Sequence, residues 1–130
     1  MSATIERGTP RETIIEVRNL EKRFGDNVVH KDLNLEVYRG EVLSIVGGSG
    51  SGKTVLLRQI VGLDRPTSGT IRVFGENPAE LSADQLQALR SRWGLQFQRG
   101  ALFSALSVID NVALPLREMR ALPDDLICRA

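Results

Sequence analysis

Eight consecutive residues carry types and a spacing that chemistry can use: Gly47, Gly48, Ser49, Gly50, Ser51, Gly52, Lys53 and Thr54. They match G-x-x-x-x-G-K-[ST] at every fixed position. Glycines at 47, 48, 50 and 52 let the backbone curl so that successive amide groups point inward as an anion nest. A helix starting near Gly52 adds its positive dipole end to that nest. Lys53 then supplies a compact charge for the β- and γ-phosphates of a nucleotide. The Thr54 hydroxyl is spaced to ligate a magnesium ion bridging the same oxygens. A flexible glycine-serine linker shares this composition, and what separates the two readings is position, because a phosphate loop has to lie between a buried strand and a helix.

The surrounding elements supply that position. Val42-Leu43-Ser44-Ile45-Val46 is almost without polar interruption, which predicts a parallel central strand buried on both faces. Behind the loop, Val55, Leu56, Ile60 and Leu63 fall at helical spacing, and Gly62 with Pro66 marks the exit. Upstream, Ile14 to Leu20 mixes β-branched and charged residues, and Leu33, Leu35 and Val37 alternate with Asn34, Glu36 and Tyr38. Both predict half-exposed strands of an antiparallel layer. Thr70 to Phe74 reads as a further strand ending at Gly75-Glu76-Asn77-Pro78. Ser82 with Gln85 three residues on predicts a capped helix over 83–91, with Leu86 and Leu89 inward. Trp93 to Phe97 returns as strand. Ser107 and Asp110 open a last helix with Ile109, Val112, Ala113, Leu116 and Met119 on one face, which Pro115 should kink or interrupt.

Composition narrows the classes. The 130 residues are 42% hydrophobic and 25% charged, as in an ordinary globular domain, and 17 basic against 16 acidic residues leave a net charge of +1. No global field gathers nucleic acid or an anionic membrane surface, so a bound anion must be held locally and no nucleic-acid partner is expected. Cys128 is the single cysteine and cannot form an internal disulfide. No apolar run approaches the roughly 18 residues of a membrane span, and the polar start lacks the apolar core of a secretory signal. These features read as cytosolic. Residues 1–13 are expected to be a flexible leader, and 14–130 read as part of one domain.

From about Ile14 to its last residue the chain resembles the ATP-binding subunits of ABC transporters. The resemblance implies an α/β fold, a P-loop NTPase (RecA-like) core with an N-terminal antiparallel β layer and the start of an ABC helical subdomain. It implies ATP and Mg2+ as ligands. In that family an aromatic residue of the β layer stacks on adenine, and the matching position is Phe24, just before Gly25; the plain alternative is a core or turn residue. A glutamine at the end of a later strand reaches the magnesium ion and the attacking water, and Gln98 in Leu95-Gln96-Phe97-Gln98 occupies that place. Gln96 is the competing candidate, but a strand alternates its faces and the residue nearer the loop is preferred. The implied site is therefore Lys53 and Gln98 for catalysis, Phe24 with Gly47–Thr54 for nucleotide, and Thr54 with Gln98 for metal.

Gln98-Arg99-Gly100-Ala101-Leu102-Phe103, with the run Val108 to Glu118, is similar in particular to the ATPases of bacterial phospholipid-trafficking transporters of the Mla and toluene-tolerance type. That likeness implies a motor subunit on the cytoplasmic face of the inner membrane. Its partners would be an inner-membrane permease and a second copy of the ATPase. It also implies a subdomain around Leu102, Phe103, Leu106 and Leu116 that either buries them or presents them to the permease. The family's Ser-Gly-Gly-Gln signature, its apolar strand ending in Asp-Glu and its switch histidine do not occur in these residues. The chain is expected to be truncated before those motifs, and to bind ATP without turning it over efficiently. A non-transport ABC ATPase of DNA repair or translation, a small-molecule phosphotransferase and a non-catalytic truncated product are the competing readings. His30 reads as a surface strand residue, and Arg90, Arg92 and Arg99 as solvated arginines.

Overall fold

The computed structural model describes residues 11–98, 100–118, 123 and 126. The chain divides into two compact units, Met1–Trp93 and Gly94–Ala130. In the first, β1 (Thr13–Phe24) and β2 (Asn27–Tyr38) form a hairpin closed by a two-residue turn at Gly25 and Asp26. β3 (Ser68–Val73) joins the other edge of β1, so the sheet order is β2-β1-β3 with both pairings antiparallel.

The alternation along β1 is interrupted between Val17 and Leu20, and that interruption decides which side chains face inward. Val17 and Leu20 are both fully buried although they are three residues apart. A regular pleat would turn them to opposite faces. The register shifts between them, and Asn19 sits in the left-handed region at φ +48°. Its backbone N–H, lost from the ladder at this bulge, donates to Asn34 Oδ1 at 2.9 Å, while its side chain donates to Asp32 Oδ1 at 2.7 Å. From Leu20 onward the period of two resumes, and it carries Lys22 into the interior.

Two helices belong to the first unit. The helix α1 (Lys53–Ile60) lays Leu56 and Ile60 against Val17, Leu20, Ile71 and Val73 of the sheet to form the core, with Ile15, Leu33, Leu35, Phe74 and Trp93 at its margin. Gln59 is buried on the same face, where its amide donates to the Val55 carbonyl at 3.1 Å. The helix α2 (Ala83–Arg90) begins with the expected capping box. Gln85 N–H donates to Ser82 Oγ at 3.3 Å, and Ser82 N–H to Gln85 Oε1 at 3.0 Å. Leu89 is buried, as its spacing predicts.

Two expected strands are absent. Val42–Val46 is irregular chain that pairs with no strand among the described residues, and Val42 and Val46 are 95% and 92% exposed. Its apolar run meets the composition of a doubly buried strand, but such a strand needs a neighbour on each side and a covering layer. The three-stranded sheet β2-β1-β3 does not include it. Trp93–Phe97 is irregular as well. Trp93 stacks on Phe74 at 6.4 Å between ring centroids, and Leu95 and Phe97 stand exposed beyond it.

In the second unit α3 (Val108–Glu118) runs through Pro115 as one helix, so the proline does not end it. Its start is capped as expected: Asp110 N–H donates to Ser107 Oγ, and that hydroxyl to the Asp110 carboxylate. Of its expected apolar face only Ala113 is buried; Ile109 and Val112 are exposed, and Met119 lies outside the described residues. Leu102, Phe103 and Leu106 are exposed too. The loop that carries them is held by Asn111, whose side chain accepts from Phe103 N–H and donates to the carbonyls of Phe103, Leu106 and Ser107.

Candidate functional site

The glycine loop leads directly into α1. Gly52 is the N-cap of the helix in the left-handed region at φ +87°, and no side chain caps the helix at this end. The amides that open an α-helix have no intrahelical acceptor, so this end offers free donors and a positive partial charge. Gly52 is also required by close approach. A Cβ there would stand 2.6 Å from both His30 Nε2 and Val29 Cγ1 of β2. One at Gly47 would stand 2.6 Å from Ser51 Oγ. Close neighbours thus crowd out a side chain at Gly47 and Gly52, whereas Gly48 and Gly50 face open space.

Lys53 spans this cradle. Its ammonium donates to the Gly47 carbonyl at 2.5 Å, the Gly48 carbonyl at 2.7 Å and Ser51 Oγ at 3.1 Å, which uses all of its donors on the loop. Ser51 N–H closes the turn onto the Gly48 carbonyl at 3.2 Å. Ser49 and Gly50 form the turn at the tip, with Gly50 at φ +79°. Thr54 follows on the first turn of α1, exposed. The loop thus gathers an ammonium, helix-end amides and the hydroxyls of Ser49, Ser51 and Thr54 in eight residues.

Three elements support α1. His30 on β2, read from sequence as a surface residue, is in fact only 8% exposed, and its Nε2 lies 3.1 Å from the Gly52 carbonyl. At the other end Lys22 of β1 donates to Asp64 Oδ1 at 2.8 Å and to the Arg65 carbonyl at 2.6 Å, just past the helix. That bond, with a further one from Arg65 N–H, holds the Asp64 carboxyl below the usual carboxylate range. Arg90 of α2 donates to the Val61 and Gly62 carbonyls at 3.3 and 2.7 Å. It is a half-buried cap for the exit of α1 and not a solvated arginine. Arg92 is exposed, as expected, and lies over the Phe74 ring at 3.9 Å. Arg99 is outside the described residues. The sequence reading missed Lys22, His30 and Arg90, because each meets the loop or helix through tertiary approach that no local pattern announces.

Phe24 ends β1, on the hairpin whose second strand abuts Gly52 through Val29 and His30. It is 51% exposed, with the Lys22 ammonium 4.8 Å from its ring centroid. An aromatic ring so placed offers a flat apolar surface to solvent. Gln98 falls in the second unit, in an exposed turn. Among the described residues no group of His, Cys, Asp and Glu could hold a metal ion by itself, so Thr54 would need ligand oxygens beside its own.

An antiparallel layer ahead of a glycine loop that opens a helix is the front of an ATP-binding cassette. Residues 30–128 match the ABC transporter family, and this chain belongs to it. Among curated relatives it is similar to the intermembrane phospholipid transport system ATP-binding protein MlaF of Haemophilus influenzae, at 45% identity over 89% of this chain and 44% of that protein. The probable ribonucleotide transport ATP-binding protein mkl of Mycobacterium leprae is 42% identical over 84% of the chain and 31% of its own length. A dimeric ATP-binding cassette solved in a post-hydrolysis state with ADP and Pi superposes with a TM-score of 0.74 and 32% identity, over 87% of this chain and 52% of that one. The α/β P-loop fold of the family is thereby shown, and the chain spans less than half the length of these curated relatives. No helix of the described residues is long and apolar enough to cross a membrane.

Proposed function

We propose that this chain is the nucleotide-binding front part of the ATP-driven motor subunit of a bacterial ABC transporter, and that its loop Gly47–Thr54 binds the phosphates of ATP. The observation that carries this reading is the Lys53 ammonium drawn over the loop at the head of α1. There it can exchange carbonyl partners for the β- and γ-phosphate oxygens while the amides of the helix start face the same anion. Phe24 would offer its exposed ring to the adenine. Thr54 would ligate the magnesium ion, and that ion when bound neutralises charge on the β- and γ-oxygens. Residues 14–130 would act as one part of the ATPase domain, working with an inner-membrane permease and a second ATPase copy at the cytoplasmic face.

Binding and turnover separate here. The chain has the phosphate loop, and it has neither a Ser-Gly-Gly-Gln signature nor an Asp-Glu strand. Replacing Lys53 with Ala removes a charged donor from the anion and should weaken ATP binding by about 10- to 100-fold in titration calorimetry. Unchanged affinity in that variant would refute the site.

Phospholipid is the cargo we favour, on the similarity to MlaF. The similarity to a protein described as a probable ribonucleotide transporter supports a second reading. ATP turnover by the full subunit with its permease, stimulated by phospholipid vesicles and not by ribonucleotides, decides for the first; the reverse pattern decides for the second.

A further inference from the structure

We infer that His30 is a positioning residue of the phosphate loop, acting through the Gly52 carbonyl. That oxygen lies 3.1 Å from His30 Nε2 and also accepts the first helical bond from Leu56 N–H at 2.9 Å. A carbonyl only accepts, so Nε2 carries the proton in this contact, and both lone pairs of the Gly52 oxygen are engaged. In a trans peptide the C=O and the N–H of one unit point in opposite directions. Pinning the Gly52 carbonyl from β2 and from α1 together therefore aims the Lys53 N–H away from the sheet, outward from the helix start.

The ring has no other task. His30 Nδ1 is buried without a hydrogen-bond partner, so the Gly52 contact is the only hydrogen bond orienting the imidazole among the described residues. A buried polar atom left bare costs stability, and a purely structural position in a strand is filled more favourably by an apolar side chain. The missing Cβ of Gly52 makes room for the imidazole, since one placed there would meet His30 Nε2 at 2.6 Å. Sheet and loop are thus fitted to each other at this point.

The inference deepens the proposed function, resting on it only where nucleotide affinity is read. Two variants of the full chain test it, His30→Leu, which keeps bulk and loses the donor, and His30→Gln, which places an amide N–H where Nε2 stood. Amide hydrogen exchange of Leu56, whose N–H bonds the Gly52 carbonyl, followed by NMR without nucleotide, should speed up about three- to tenfold in the leucine variant and return toward wild type in the glutamine variant. ATP affinity should fall by a similar factor and recover in parallel. Exchange unchanged in His30→Leu, or raised equally in both variants, overturns the inference, because the donor would then not matter. Wild-type protein that fails to bind ATP while the exchange pattern holds overturns the proposed function alone.

Discussion

Lys22 is a cation in the interior of a β layer, and its surroundings explain why it is tolerated. Its ammonium reaches the Asp64 carboxylate and the Arg65 carbonyl, and it lies 4.8 Å from the centre of the Phe24 ring. Burying one charge is costly, whereas a paired and hydrogen-bonded charge can be held. The Lys22 bond depresses the Asp64 carboxyl below its ordinary range. A group depressed in the folded state adds stability that is complete above its unfolded value, near about 4, and disappears as pH falls through the folded one. Asp64→Asn should therefore lower stability by about 2 kcal/mol at pH 7 and flatten the loss on acidification. Urea unfolding from neutral pH down to pH 3 measures both effects, and equal acid slopes in the two proteins would contradict the pairing.

At the scale of elements, local signals were readable and pairing partners were not. The Ser82 and Gln85 capping box fixes the start of α2 from four residues of sequence, and the structure has both of its hydrogen bonds. Ser82→Ala should cost about 1 kcal/mol and lower the melting temperature by a few degrees in a thermal scan. The hairpin, β3 and α1 were legible for the same reason, since alternation and helical period are written within each segment. Val42–Val46 shows the limit. Its apolar side chains state a demand for burial on two faces, and no residue within the segment can say whether neighbours exist to meet it. Trp93–Phe97 failed differently, because Trp93 found the Phe74 ring in place of a strand ladder. In the phosphate loop the eight motif residues were evident from spacing, while His30 and Arg90 depend on elements that lie 22 and 28 residues away from their partners Gly52 and Gly62.

For the whole molecule, the segment before the loop exposes an apolar surface to solvent. Val42 and Val46 stand almost fully exposed beside the half-exposed Leu43 and Ile45, an uncovered apolar segment able to associate with another chain. Val42→Lys together with Val46→Lys should reduce aggregation of the 130-residue chain in light scattering and leave its melting behaviour close to the original. No reduction would show that association runs through another surface, such as the exposed Leu102 and Phe103.

The supports of α1 have a mechanical consequence. The helix is a short strut clamped at its head by β2 through His30 and at its foot by β1 through Lys22 and by α2 through Arg90. A strut held at both ends does not pivot about either. Any push delivered at the head must travel along its axis, to be divided at the foot between a strand and a second helix.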